Sequence, residues 1–544
     1  MPTARAETEV SRSVTSTSPA SSGLWPATIA GVVAVGAGLA GGELLAVTVD
    51  PNASPYVAVG SAVVDHSPTA VREFAINTFG TSDKVALFTG MTFLIVALAA
   101  ACGVAQRRWP PAGTVVIGLF GLVGAVAALG RPDAVWTYAL PSVGTALIAI
   151  VVLKVLLGML PGSASTSDAV PAGSAATTAT PDDAADTGPV VGRRFVLTAG
   201  GVAALAVVVG VMGRRILADT ARTVADRTKL VLPPPRSPAP PVPPSADIAV
   251  PGATPFVTSN ADFYRIDTAL QVPNLTTADW SLRIHGMVDN EIRIGWDELL
   301  AMPMTERIVT LTCVSNEVGG DLIGNARWLG VPMSTLLERA GVRPQADMLL
   351  STSSDGWTCG TPVSAVTDGR DALLVVGMNG EPLPLEHGYP VRQVIPGLYG
   401  YVSATKWVVD WELTQFSKAR AYWTSRGWSA LGPIKLASRI DRPDSRSEHP
   451  RGDVVIAGTA WAQHTGVRAV DVRIDDGPWL PADLAAQYST DTWRHWRFTW
   501  SATPGEHTVA CRAVDADGRA QVEEYASPVP DGATGLDART YAIT

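Results

Sequence analysis

Arg307-Ile-Val-Thr-Leu-Thr-Cys313-Val-Ser-Asn316 is the stretch around which the chain is organised. After Glu317-Val318 it continues as Gly-Gly-Asp321-Leu-Ile-Gly324-Asn-Ala-Arg327-Trp328-Leu-Gly330-Val331. Val309, Leu311 and Cys313 alternate with Thr310 and Thr312, the period of a half-buried strand. The strand delivers a thiol at its end, where a polar, glycine-rich loop begins. A thiolate is a soft, strongly donating ligand that suits a soft or redox-active metal. The alternative is a small apolar residue closing a core strand, since free cysteine is among the most buried residue types.

The surroundings favour the metal. From Val250 to about Gln415 short strands (Trp280–His285, Leu373–Val376) mix with helices (Trp296–Ala301, Met333–Ala340) and with turns at Val288-Asp-Asn290 and Met378-Asn-Gly-Glu381. This predicts an α+β domain. No glycine-rich nucleotide fingerprint follows a strand, so a nicotinamide or flavin site of that type is unsupported. The Thr-Leu-Thr-Cys-Val-Ser-Asn and Gly-Asn-Ala-Arg-Trp-Leu-Gly-Val runs resemble the molybdopterin-binding domain of the sulfite oxidase family, over roughly Pro255 to Ser527. The resemblance implies a molybdenum–molybdopterin cofactor, with Cys313 as its protein metal ligand.

Three more segments carry the likeness. Asn260-Ala-Asp-Phe-Tyr264-Arg265 resembles the family's N-terminal cofactor contact. Asn379 to Arg392 resembles the pterin-gripping loop, with His387 and Arg392 on pterin and phosphate. Pro396 to Trp407 resembles the segment whose backbone and lysine close over that phosphate, which implies cofactor-binding positions at Ser403, Thr405 and Lys406. A buried phosphate needs Arg or Lys donors held in place. Arg327 and Trp328 are the further catalytic candidates beside Cys313, Trp328 either walling a substrate funnel or filling the core.

Two departures bear on the substrate. Sulfite-oxidising relatives carry a basic residue shortly after the Asn that follows the metal cysteine, where this chain has Glu317-Val318. They carry a Tyr where this chain has Ser425, before Arg426-Gly427-Trp428. A dianion such as sulfite needs clustered positive charge. A neutral or weakly charged partner such as a sulfoxide fits better.

Towards the C-terminus, Val454–Trp461, Val470–Ile474, Trp496–Trp500 and Val509–Val514 alternate apolar and polar residues, with turns at Asp475-Asp-Gly477 and Asp515-Ala-Asp-Gly518. A β-sandwich is expected over residues 430–528. It resembles the family's immunoglobulin-like dimerisation domain, which implies a homodimer that the residues alone do not show. Cys511 shares a face with Val509 and Ala513 and belongs to the core. With Cys102 in an apolar helix, Cys313 on the metal, and Cys359 and Cys511 in different domains, no disulfide is expected.

Towards the N-terminus, 47 % hydrophobic residues and a net charge of −9 argue for membrane segments and against a nucleic-acid partner. Leu24–Val49, Ala86–Ala105, Gly113–Gly130 and Val135–Leu160 are apolar runs of spanning length, as ~20 residues cross a bilayer. Glu43 and Lys154 are the charges inside them, and Glu43 reads as an intramembrane or interfacial carboxylate. Residues 1–23 form a cytoplasmic tail, 24–160 a four-helix region, and 161–192, rich in Ser, Ala, Thr, Pro and Asp, a disordered linker.

Residues 193–217 open with Arg193-Arg194-Phe195. They resemble a twin-arginine export signal, the alternative being a fifth membrane helix with two basic flanking residues. Positive residues favour the cytoplasm, so Arg107-Arg108 and Arg193-Arg194 place the chain beyond residue 217 outside, against Arg214-Arg215. Residues 218–249 are a spacer, with eight prolines between Leu232 and Ser245, worth roughly 40 Å if extended. The molybdopterin-binding domain covers 250–417.

The function these features imply is oxo transfer by a membrane-anchored, extracytoplasmic enzyme on a small-molecule substrate. None of the seven histidines lies in an apolar run, so no haem site is expected there and the electron donor or acceptor is a separate protein. The alternative is a degenerate cofactor domain serving as an extracytoplasmic binding or adhesion module.

Overall fold

A computed structural model describes residues 24–50, 53–68, 71, 74, 78, 83–131, 134–160, 192–217 and 220–544. The cytoplasmic tail, the linker at 161–191 and the side chains of Arg214 and Arg215 lie outside the described residues. The chain divides into two compact units, Met1–Leu217 and Ala218–Thr544.

The first unit is helical: α1 (Leu24–Val49), α2 (Pro55–His66), α3 (Asp83–Arg108), α4 (Ala112–Leu129), α5 (Leu140–Gly158) and α6 (Arg193–Leu217). Five stretches, Leu24–Val49, Lys84–Arg108, Ala112–Leu129, Trp136–Gly158 and Arg193–Met212, are long and apolar enough to cross a membrane. α1 packs against α3, α5 and α6. The approach is close because small residues line it: a Cβ on Gly31 would run into the Ala99 carbonyl, and one on Gly38 into that of Thr145. α2 is not among the elements expected from the sequence, which reads His66 as part of a loop. Ser54 caps it by accepting from the Val57 amide, and Pro55 stands at its start. The Ser54 hydroxyl also donates to Glu43 Oε1 (2.7 Å), and Glu43 is buried. This carboxylate therefore helps to hold the turn into α2.

The second unit opens with α7 (Thr220–Lys229) and contains two sheets before the C-terminal region. One has the order β2 (Ile292–Gly295), β1 (Ser281–Gly286), β10 (Val408–Thr414), β5 (Met348–Ser353), β6 (Thr358–Pro362), with β1 and β10 parallel. The other runs β3 (Thr305–Thr312), β4 (Ile323–Pro332), β7 (Leu373–Met378), β8 (Glu381–Pro382), with β9 (Arg392–Val394) also on β7. Helices α8 (Trp296–Ala301) and α9 (Met333–Ala340) fall where the sequence puts them.

Beyond residue 436 lie two sheets. The first holds β11 (Ala437–Arg442), β13 (Gly452–Trp461), β16 (Asp483–Leu484) and β17 (Arg494–Ala502). The second holds β12 (Glu448–His449), β14 (Val467–Ile474), β15 (Leu480–Pro481), β18 (Gly505–Asp515) and β19 (Ala538–Ile543). Ile456 and Trp496 of the first share one core with Val472, Val509, Cys511 and Tyr541 of the second. β19 sits between β12 and β18, so the region extends past residue 528. All four cysteines are free.

The proline-rich stretch is laid along the second unit, where a free-standing spacer was expected. The Arg236 and Ser237 amides donate to the Met304 carbonyl, and the Ser237 carbonyl accepts from Glu306 N (2.8 Å). Further on, Tyr488 Oη donates to the Pro240 carbonyl (2.7 Å), and Ala246 is buried with Phe256 and Trp493. Extended backbone keeps its carbonyls available, and here protein donors take them.

Candidate active site

β3 ends at Thr312, so Cys313 stands just past the strand. Its amide donates to the Leu322 carbonyl (2.9 Å). Asn316 closes the loop: its amide donates to the Cys313 carbonyl (3.1 Å), and its Oδ1 accepts from Leu322 N (2.9 Å). Burial pushes the Cys313 thiol pKa up, while hydrogen bonds with Ser315 and the charge of Lys406 pull it back.

Alternation gives the β3–β4 pair two faces. Val309, Leu311, Ala326 and Trp328 point to one, in a core with Phe263 and Tyr389, and Cys313 is in phase with them. The Phe263 ring stacks on Tyr264 (5.2 Å) and stands edge-on to Trp328 (5.7 Å) and His387 (5.6 Å).

Five polar side chains gather on that side. Lys406 Nζ donates to Asp267 Oδ2 (2.8 Å) and to the Glu386 carbonyl (2.9 Å), and Arg265 Nε donates to the same Asp267 oxygen (3.0 Å). Burial lowers the Lys406 pKa to about 8, against the pull of Asp267. The His387 pKa is lowered to about 3 by burial and by the Arg392 and Lys406 charges, so its ring is neutral at pH 7. The Arg392 guanidinium is buried over the Trp328 ring (5.1 Å) and donates only to carbonyls, those of His387 (3.1 Å) and Gln393 (3.4 Å). Burial brings its pKa down to about 10.

Cys313, Tyr264 and Lys406 remain partly exposed and lie near one another, Cys313 acting on Tyr264 and Lys406 on Cys313, so the space they border is the candidate cofactor cavity. Around it three cations, Arg265, Arg392 and Lys406, meet the single carboxylate of Asp267. A buried guanidinium served only by carbonyls is costly unless an anion joins it. The donor set therefore fits an anionic group beside a soft metal held by a thiolate.

Residues 269–423 match the family model described as the oxidoreductase molybdopterin binding domain. A Bacillus subtilis protein, described as the uncharacterized oxidoreductase YuiH, is 31 % identical over 153 residues, covering 28 % of this chain and 74 % of that protein. The chain belongs to the sulfite oxidase family of molybdopterin-dependent oxidoreductases.

The mitochondrial sulfite oxidase of Rattus norvegicus is 28 % identical over 312 residues, covering 48 % of this chain and 56 % of that protein, so the chain spans only about half the length of such relatives. The sulfane dehydrogenase SoxCD of Paracoccus pantotrophus superposes with a TM-score of 0.44 at 26 % identity, over 49 % of this chain and 75 % of that one. The family's cofactor is molybdenum–molybdopterin. Cys313 would hold the metal, and Tyr264, Arg265, His387, Arg392 and Lys406 are the residues that would meet the pterin and its phosphate.

Other expected residues lie elsewhere. Arg327 pairs in register with Ile308 and so lies on the face opposite Cys313, where its Nη1 donates to Glu306 Oε2 (2.8 Å). Trp328 is fully buried, its Nε1 donating to the Val309 carbonyl (3.1 Å), and it supports Arg392 from the core. The Ser403 hydroxyl donates to the Leu398 and Tyr399 carbonyls, and that of Thr405 meets the Ser351 hydroxyl (2.6 Å), so both brace the backbone. The Asn260 side-chain amide is taken up by Asn379 (2.8 Å) and by the Met378 carbonyl (3.4 Å), while its backbone stays at the site, hydrogen-bonded to His387. Asp267 was missed; a lone Asp two residues after Arg265 carries no pattern.

Proposed function

We propose that the chain is a membrane-anchored enzyme whose cofactor domain lies outside the cell membrane and acts by oxo transfer on a small neutral substrate, a sulfoxide rather than sulfite. The bound cofactor supplies the two-electron oxo-transfer chemistry. The residues hold it through Cys313, balance its phosphate with Arg392, Lys406 and Arg265, and keep His387 neutral beside them.

The observation that carries the substrate class is the lining of a cleft of about 510 Å³ next to the Cys313 loop. Its charged lining residues are the acids Glu317 and Asp515 and the bases Lys435 and Arg519. Lys435 Nζ donates to Asp531 (2.8 Å), and Arg519 is held by Asp515 (2.7 Å) and Asp517 (2.6 Å). Such a lining carries no excess of positive charge to draw in a dianion.

The five apolar helices support the anchor, and Arg107-Arg108 with Arg193-Arg194 support the sidedness. On this reading the Arg pair is an export signal, the C-terminal sheets form an immunoglobulin-like domain able to dimerise, and a separate protein exchanges the electrons.

The test is molybdenum analysis of the purified chain, followed by dye-coupled assays on a sulfoxide and on sulfite. One molybdenum per chain and a clear preference for the sulfoxide are expected. Sulfite turnover at higher kcat/KM would overturn the substrate class, and a metal-free protein would favour a binding module instead.

A further inference from the structure

The loop from Glu381 to Arg392 carries His387, Arg392 and the Glu386 carbonyl that receives Lys406. Two neighbouring residues of α7 bracket it. The Arg227 guanidinium donates to the Leu383 carbonyl (2.8 Å), the Pro382 carbonyl (2.8 Å) and Glu381 Oε2 (3.1 Å). On the far side of His387, Tyr389 Oη donates to Asp226 Oδ2 (2.8 Å). That carboxylate is itself fixed, accepting the Thr277 amide (2.8 Å) and hydroxyl (3.0 Å). Burial works to raise its pKa, but these hydrogen bonds and Arg222 leave it below the usual carboxylate value, so it accepts the tyrosine proton as an anion.

Besides these contacts, Arg222 pairs with Asp279 (3.7 Å) and Leu230, just past the end of α7, packs on the core. A helix of this length is marginal in water by itself. Among its residues with described side chains Thr223 alone is buried, while Arg222, Val224, Ala225, Thr228 and Lys229 are exposed. The helix itself therefore docks mainly through polar contacts, those of Arg227 and Asp226 with this loop foremost among them. The loop it holds carries His387, Arg392 and the Glu386 carbonyl that receives Lys406, so loosening α7 would loosen the groups proposed to hold the cofactor. Elements with few apolar contacts are the ones that open at low cost.

We infer that α7 is a clasp on the cofactor loop, with Asp226 and Arg227 as positioning residues that set His387 and Arg392 and govern how readily the cofactor enters and leaves. This rests on the assignment of the cavity to the molybdenum–molybdopterin group. Neither residue touches the cavity; both act through the loop.

The test uses the full chain in detergent with Arg227→Ala, Asp226→Asn and Arg227→Lys, and with Arg343→Ala, at a distant exposed ion pair with Asp289 (3.5 Å), as control. Two quantities are followed: molybdenum loss on dialysis, and hydrogen exchange of the His387, Gly388 and Tyr389 amides in cofactor-free protein. Arg227→Ala and Asp226→Asn should each speed both by about tenfold, the scale of one or two lost hydrogen bonds. Arg227→Lys, which can still reach one carbonyl, should fall between, and Arg343→Ala should match the unaltered chain. Unchanged exchange at these three amides in both Arg227→Ala and Asp226→Asn would overturn the clasp whether or not the protein carries metal. Faster exchange with unchanged molybdenum loss would overturn its role in retention. A chain that never contains molybdenum, yet shows faster exchange in the variants, would refute the cofactor assignment and leave the clasp standing.

Discussion

The two faces of β3 do different work. On one, Val309 and Leu311 lead to Cys313, against Phe263, Ala326 and Trp328, and everything that can hold the cofactor gathers there. On the other, Thr310 makes four hydrogen bonds, three of them to the C-terminal region. Its hydroxyl donates to Asn325 Oδ1 (3.0 Å) and accepts the Trp493 amide (2.8 Å), its own amide donates to the Asp491 carbonyl (3.0 Å), and its carbonyl accepts from Gln463 Nε2. The position of the thiol is thus fixed from behind, by a region that also lines the cleft beside the Cys313 loop. One strand serves as the wall of a site and as the seam between two regions.

Substitutions on the two faces should separate these roles. The largest effect is expected at Cys313→Ser. A serine oxygen is a poor substitute for a donating thiolate, so dye-coupled turnover should fall to background, and turnover within a few-fold of the unaltered chain would sink the metal-ligand assignment.

Next come two arginines of opposite faces. Arg392→Ala should lower molybdenum content several-fold by removing a buried contact to the phosphate, whereas Arg327→Ala, on the seam side, should leave it unchanged. Equal losses in both would erase the distinction.

The smallest effects concern the threonines. Thr310→Val should cost about 1–3 kcal/mol in a denaturation midpoint, because Asn325 and the Trp493 amide lose a buried partner. Thr312→Val removes a buried hydroxyl that has no partner and should be neutral or slightly stabilising. A Thr312→Val loss as large as that of Thr310→Val would mean that both hydroxyls bear on the seam.

Much of this was legible in the residues. The apolar helices come out within a few positions of their expected bounds because all-round apolarity leaves little to interpret, and Cys313 stands at the strand end where alternation puts it. The failures have definite causes. Arg327 looked catalytic because it adjoins the motif, yet with a period of two its neighbour Trp328 and it cannot share a face. The hydroxyls of Ser403 and Thr405 turn to protein partners, which a sequence does not tell, and that leaves the backbone of their segment as the part able to meet a phosphate. α2 is too short to stand out among long apolar runs. The order of the proline-rich stretch depends on partners such as Met304 and Tyr488, far from it in sequence.

That stretch has one more consequence. β3 is the outer strand of its sheet, and its start would offer unpaired amides and carbonyls to any passing chain. Ser237 lies beside Thr305 as a one-residue bridge running parallel to it. The strip that covers this edge is itself crowded with prolines, which have no amide hydrogen to offer a further strand. The sheet therefore stops here: the covering strip takes up the open edge of β3 and gives a third strand nothing to continue from.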